Sequence, residues 1–358
     1  MAPNTSRGES RKLKDPRAHS STKLGMHANM PLNDLTAISE TGRQADGVRS
    51  AERDTPPPTP KQGDSIDDQQ TMRATRKSKI YFRRFMRNKA AVIGLIIFFL
   101  LVLLAIFGKF LCPWNYQDPD FLNLSVPPSS EHWFGTTDSG NDLFAQVVHG
   151  LGRSLTIAVP ASIATTIISA IVGAGAALYG GSVEKVVLAV IHFLLAVPTF
   201  LIIALLVSGS GGDWKVLTVV LIAFGWMYSA RVIWSLALSI RENDYVRAAK
   251  FMGVSRPKTI VRHVIPNVAS LLIIQLMLGI VSTIMSETAL SFLGLGVKLP
   301  DVSLGTLLQT GTSTLVTAPW QFYFPALILT LLTVSMAFIA DGLRDALDPN
   351  SNSGGSAA

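Results

Sequence analysis

The side chains that could do chemistry in this sequence are few, and none stands at a catalytic spacing. There is no Gly-x-x-x-x-Gly-Lys-Ser/Thr run to cradle a nucleotide phosphate, no His-Glu-x-x-His pair, no Gly-x-Ser-x-Gly elbow and no pair of aspartates inside an apolar run. Nothing marks a metal site. The segment from Glu242 to Asn267 stands out instead, and its chemistry is that of a contact. Tyr245, Ala248, Ala249 and Met252 recur at i, i+3, i+4 and i+7, one apolar helical face with small residues at its centre. Asp244, Arg247 and Lys250 occupy another face. Asn243 or Asp244 suits the N-cap and Gly253 the C′ position, so the helix should run about two turns. Ser255 with Pro257 can start a second helix, and Pro266 marks a bend into the next apolar run. Such a helix, with two alanines on its exposed face, can seat closely in another protein's groove. The competing reading is a helix lying on lipid headgroups with its Arg and Lys snorkelling. Alanine contributes little membrane affinity, which favours the groove.

Three isolated polar residues interrupt apolar sequence. His192 is a candidate pathway group because an ionisable side chain in lipid is costly; a neutral imidazole hydrogen-bonded to a neighbouring helix is the plainer reading. Glu287, near the end of an apolar run, could help close a pathway or cap a helix end. His263 beside Arg262 has the pKa of a pH switch, but packing against a partner or capping accounts for it as well. Cys112, the sole cysteine, excludes an internal disulfide and reads as a small residue at a helix end.

The elements that must position these residues are membrane helices. Only 15% of the 358 residues are charged, against about a quarter in a soluble protein, and 48% are hydrophobic. Six apolar runs approach the roughly 20 residues a bilayer core requires: Ala91–Leu111, Ser154–Tyr179, Val183–Val207, Val216–Trp234, Val268–Leu290 and Phe322–Ala340. Gly180-Gly181 should turn the second run tightly into the third. Gly173, Gly175 and Ala177 would let helices approach closely. Pro160, Pro198 and Pro325 should bend theirs.

The chain divides into a Ser/Thr/Pro-rich tail (1–76) with no apolar period, read as disordered; a basic juxtamembrane segment and first helix (77–112); an outer segment (113–153); a core of five helices (154–349) containing the cytoplasmic segment 240–267; and a short tail (350–358). The formal net charge of +7 does not point to nucleic acid, because the basic residues flank apolar runs, where they anchor a segment on the cytoplasmic side against lipid. Pro113–Gly152 contains no Lys or Arg, whereas Arg241–Asn267 holds six. The expected topology puts both termini in the cytoplasm.

The stretch Leu238-Ser-Ile-Arg-Glu-Asn-Asp-Tyr-Val-Arg-Ala-Ala-Lys-Phe-Met-Gly253, followed by Arg262-His263-Val-Ile-Pro266-Asn267, resembles the coupling signature of ABC-importer permeases. More narrowly it is similar to the second-subunit type of the dipeptide/oligopeptide (and nickel) family. Leu195-Ala-Val-Pro198, Glu287-Thr-Ala-Leu-Ser-Phe-Leu-Gly-Leu-Gly296 and Ala340-Asp-Gly-Leu-Arg-Asp-Ala-Leu-Asp-Pro349 resemble further family patches, so the likeness covers about residues 77 to 349. Departures cluster outside the membrane. Thr137 and Asn141 replace Asp and Arg in Gly135-Thr-Thr-Asp-Ser-Gly-Asn-Asp142, and Ala145-Gln146 and Gly152 replace a Ser-Arg pair and an Arg. These put in question an ion pair that the resemblance implies. Arg247 and His192 stand where acidic residues are frequent.

The resemblance implies an all-α integral membrane protein of the type I importer fold with six spanning helices, in the bacterial cell membrane. Its partners would be a homologous second permease subunit, two ATP-binding subunits and an extracytoplasmic substrate-binding protein. ATP and Mg would be bound by those partners, with no cofactor on this chain. Glu242, Asp244, Tyr245, Arg247, Ala248, Ala249, Met252, Gly253, Arg262, His263 and Pro266 would couple the chain to an ATPase, and His192, Pro198 and Glu287 would belong to the pathway or gate. The expected cargo is short peptides, with nickel, glutathione or another small solute as the alternative. A stand-alone secondary transporter would need acidic relays inside the membrane, which the runs lack except at their boundaries. An intramembrane enzyme would need the catalytic groups missing above.

Overall fold

The computed structural model describes residues 79–347. The two tails, and the start of the basic cluster, lie outside the described residues. Helix α1 (79–87) leads through Asn88 into α2 (Lys89–Phe107), and the Asn88 carboxamide oxygen caps α2 by accepting from the Ala91 amide at 3.1 Å. A 3-10 turn and an irregular segment (111–142) follow, then α3 (Leu143–Tyr179). Next come α4 (Gly181–Ala196), α5 (Thr199–Ser208), α6 (Trp214–Gly225), α7 (Met227–Arg241), α8 (Asp244–Phe251), α9 (Arg256–Thr259), a π-turn (Ile260–Val264), α10 (Ile265–Phe292), α11 (Leu304–Ser313) and α12 (Trp320–Leu347).

Five continuous helices are long and apolar enough to cross a bilayer: Lys89–Phe110, Leu143–Tyr179, Trp214–Arg241, Arg256–Phe292 and Trp320–Leu347. The pair α4 and α5, bent by 76°, makes a sixth if it is counted as one broken span. Of the three prolines expected to bend helices, only Pro198 breaks one. It is exposed, and Val197 before it takes the extended conformation (ψ 139°) that a residue preceding proline favours. Pro160 and Pro325 sit inside unbroken helices among buried neighbours such as Ile157, Ala161 and Ile328, whose packing holds the helix through the missing hydrogen bond.

Several helices outrun their apolar stretches. The second begins at Leu143 rather than Ser154, and the sixth continues to Leu347 rather than Ala340. The 37 residues of α3 span about 55 Å at about 1.5 Å per residue, well beyond a hydrocarbon core of about 30 Å. Apolarity marks the part of a helix inside lipid and is silent about the polar turns beyond it.

α3 is the central element, packed against α7, α10 and α6. A Cβ on Gly173 would run into the Ala230 carbonyl oxygen and lie 3.0 Å from Ile233 Cβ, so this glycine sets the α3–α7 approach. A Cβ on Gly175 would meet nothing within 4 Å, so this glycine sets no helix approach among the described residues. The Gly180-Gly181 turn is as tight as expected, with φ of +63° and +58°. Helix α11 was not anticipated. It starts with a capping box between Ser303 and Thr306 and buries Leu304, Leu307 and Leu308 against α10 and α12.

Candidate functional site

Helix α8 has the expected length, and its C-terminal end is a Schellman turn. Gly253 adopts φ +77°, its N–H donates to the Lys250 carbonyl at 3.1 Å, and the Val254 N–H donates to that of Ala249 at 3.0 Å. A Cβ at Gly253 would meet nothing within 4 Å, so the left-handed conformation alone favours glycine there. Asn243 is the N-cap, with no side-chain capping bond; Asp244 lies in the first turn, where its charge suits the helix dipole.

The face assignment needs correction. The expected stripe treated Ala248 and Ala249 as one exposed pair, but Ala249 is 2% exposed and Val246 5%, and these two turn α8 onto its own chain. Tyr245, Ala248 and Met252 remain exposed, joined by Phe251 at 85%. Two apolar stripes are compatible with this short helix, and only packing chooses between them. Phe251 was missed because it falls outside the period that was followed.

Glu242 and Arg241 tie the segment to the rest of the fold. Arg241 Nε lies 3.1 Å from Glu242 Oε1, and Nη1 donates to the Ala177 carbonyl in the last turns of α3 at 2.8 Å. Ser255 is the N-cap of α9, with Pro257 in its first turn, as expected. Pro266 does not interrupt the helix: α9, the π-turn and α10 form one span, Arg256–Phe292. The Ile265 N–H donates to the Ile260 carbonyl across the π-turn, so the register shifts just before the proline and the helix continues. The His263 ring is 6.1 Å from that of Tyr245, and its carbonyl accepts from Asn267 Nδ2 at 2.6 Å. Arg247, Arg262 and Pro266 are exposed.

The three membrane candidates part company. His192 is exposed on α4 and makes no side-chain hydrogen bond among the described residues, unlike the plainer reading above. Pro198 marks the 76° bend. Glu287 is fully buried in α10, accepting from Ser291 Oγ at 2.7 Å and from Ser154 Oγ of α3 at 3.1 Å. It is a knot between helices and not a helix-end cap.

At the far end of α3 from α8 the structure holds a charged cluster that sequence reasoning missed. Asp301, in the loop before α11, receives His149 Nε2 at 2.8 Å and lies 2.7 Å from Arg153 Nε, a close ion pair without hydrogen-bond alignment. Arg153 also covers Trp214 at 4.5 Å, and Tyr116 stacks on His149 at 3.6 Å. Burial raises the Tyr116 phenol pKa. The altered 135–142 motif is closed without the usual Asp and Arg: the Thr137 hydroxyl accepts from the Asn141 amide at 3.0 Å. Asp142 caps α3 through Ala145 at 2.7 Å and pairs with buried His132 at 2.8 Å. Asp120 is held below the usual carboxylate range by hydrogen bonds from Asn123 and Leu122. The Cys112 thiol, 3.7 Å from Asp142 Oδ1, has its pKa raised by burial.

Residues 156–352 match the family described as binding-protein-dependent transport system inner membrane component. Residues 78–128 match the N-terminal TM domain of oligopeptide transport permease C. The chain belongs to this permease family. An oligopeptide transport system permease protein OppC of Mycobacterium tuberculosis is 44% identical over 273 residues, 76% of this chain and 94% of the relative. Escherichia coli OppC is 35% identical over 75% of this chain and 89% of its own length, and Bacillus subtilis dipeptide permease DppC is 33% identical over 75% and 84%. As a member of the permease family, the chain is an all-helical, multi-pass protein of the cell membrane. The family match runs from α3 past the end of α12 and includes all of α8.

Proposed function

We propose that this chain is one of two permease halves of an importer for short peptides, and that α8 is the helix on which a partner ATPase acts. The carrying observation is α8 itself: two turns anchored by Val246 and Ala249, with Tyr245, Ala248, Phe251 and Met252 left exposed. An eight-residue helix has no stability of its own, so one held rigid by its inner face with apolar groups facing outward is built for a second protein. The peptide cargo is inferred from relatives named as oligopeptide and dipeptide permeases. The absence of Lys and Arg from 113–152, and their abundance around α8, support a topology with α8 and both termini in the cytoplasm. ATP and Mg then belong to the two ATPase subunits, and an extracytoplasmic binding protein delivers the peptide at the other end. ATPase closure moves α8, and the helices rock in response. Transport energy enters only as a difference in α8 contacts between two states.

Reconstitution tests this. Vesicles holding this chain, its homologous partner permease, the ATPases and the binding protein should take up peptide only with ATP. Peptide flux through this chain without the ATPases would overturn the reading.

A further inference from the structure

Between α8 and the inner turns of α3 and α9 lies a pocket of about 320 Å³. Four cations line it: Arg241, Arg247, Lys250 and Arg256. A single carboxylate, Glu242, also lines it and is already paired with Arg241. Arg247 and Lys250 have no hydrogen bond or ion pair among the described residues, and Arg256 has as its partner the face of the Tyr179 ring at 5.0 Å. Three cations thus converge on one concavity without a counter-charge. Its apolar wall includes Leu178, in the last turn of a membrane-spanning helix. Leu178 and Tyr179 close the apolar run of α3, whose polar excess lies at its other end (143–153), so the charges adjoin the end of the run that lipid should cover.

We propose that this pocket binds the phosphodiester of an anionic lipid headgroup, bridging α8 to the membrane-spanning body. A phosphate fits because its oxygens can accept from guanidinium and ammonium groups together, and because the acyl chains would continue along the apolar wall. Phe251 belongs both to the pocket wall and to the exposed face of α8, whereas Tyr245, Ala248 and Met252 lie outside the pocket, so headgroup and ATPase meet only along that edge. The bound lipid would set the position of α8 before any partner arrives.

The test uses the assembled transporter in phosphatidylcholine vesicles, in phosphatidylcholine doped with phosphatidylglycerol, and in phosphatidylcholine with added inorganic phosphate. The readouts are the phosphatidylglycerol retained after extraction and the melting temperature. Wild type should retain phosphatidylglycerol selectively and melt higher in its presence. Lys250→Gln with Arg256→Gln should weaken retention about fivefold for each charge removed. Equal melting of variant and wild type in plain phosphatidylcholine controls for misfolding, and Arg256→Lys should recover part of the retention. Equal retention by variant and wild type would overturn the proposal. An equal thermal shift from inorganic phosphate would assign the site to a free anion and overturn the lipid. Retention that appears only after the ATPases are stripped away would assign the pocket to a partner carboxylate. Lipid retention is read without transport, so it can fail while the ATPase reading stands.

Discussion

Ala248 and Ala249 are adjacent and chemically identical, yet a glutamate should act differently at each. Ala249 is buried with Val246, and burying this pair contributes about 2–3 kcal/mol to holding α8 on the body. An unpaired carboxylate there costs more than that, so Ala249→Glu should release α8 altogether. Ala248 is exposed, and the change in helix propensity is only about 0.4 kcal/mol, so Ala248→Glu should leave α8 folded. If the outer face seats in a partner's groove, the new charge is desolvated on docking at about 2–5 kcal/mol, which is about 30-fold or more in affinity. Limited proteolysis across 243–254 reads the state of α8, and co-isolation of the ATPase and ATP-driven peptide uptake read coupling. Ala248→Glu should resist cleavage like wild type while losing co-isolation and uptake; Ala249→Glu should be cleaved. Wild-type uptake by a normally expressed Ala248→Glu variant would refute docking on this face. A protease-resistant Ala249→Glu variant would refute the burial argument.

Gly173→Ala should destabilise the purified transporter by about 1–3 kcal/mol, because its Cβ meets the backbone of α7, whereas Gly175→Ala should be neutral or slightly stabilising; melting curves of the pair check this. Asp301→Asn should lower stability by about 1–2 kcal/mol. That is below the cost for a fully buried pair, since Arg153 and Asp301 side chains are each 20% exposed. Arg153→Gln in the Asp301→Asn background should then cost less than it does alone, which a double-mutant cycle in melting temperature would show.

What the sequence displayed depended on the range of the physics involved. Apolar length, Gly180-Gly181, Ser255-x-Pro257 and Gly253 are local signals, and each appears in the structure as expected. The face of α8 was ambiguous because Val246 and Ala249 obey a helical period as well as Tyr245, Ala248 and Met252 do. Helix ends were misjudged where polar turns leave the lipid, as at 143–153. Pro198 breaks its helix while Pro160 and Pro325 sit inside continuous ones, a difference that a proline in an apolar run does not announce.

The contacts between distant segments were the least legible, and they bear most on how the molecule works. Arg241 reaches Ala177 across 64 positions of sequence, and His149 reaches Asp301 across 152. Both pairs attach to α3, one near each end of a 37-residue helix. At one end α3 is tied to the segment that enters α8; at the other it is tied to the loop that enters α11 and, through Tyr116, to the irregular segment 111–142. Between them, Ser154 of α3 shares the Glu287 carboxylate with Ser291 of α10. If a partner displaces α8 as proposed, the Arg241 contact is a route by which the displacement would reach α3, because a packed helix moves as a rod rather than stretching. No period or motif announces such a rod. It follows from one long helix with polar attachments at its two ends, and those attachments exist only once the chain is folded.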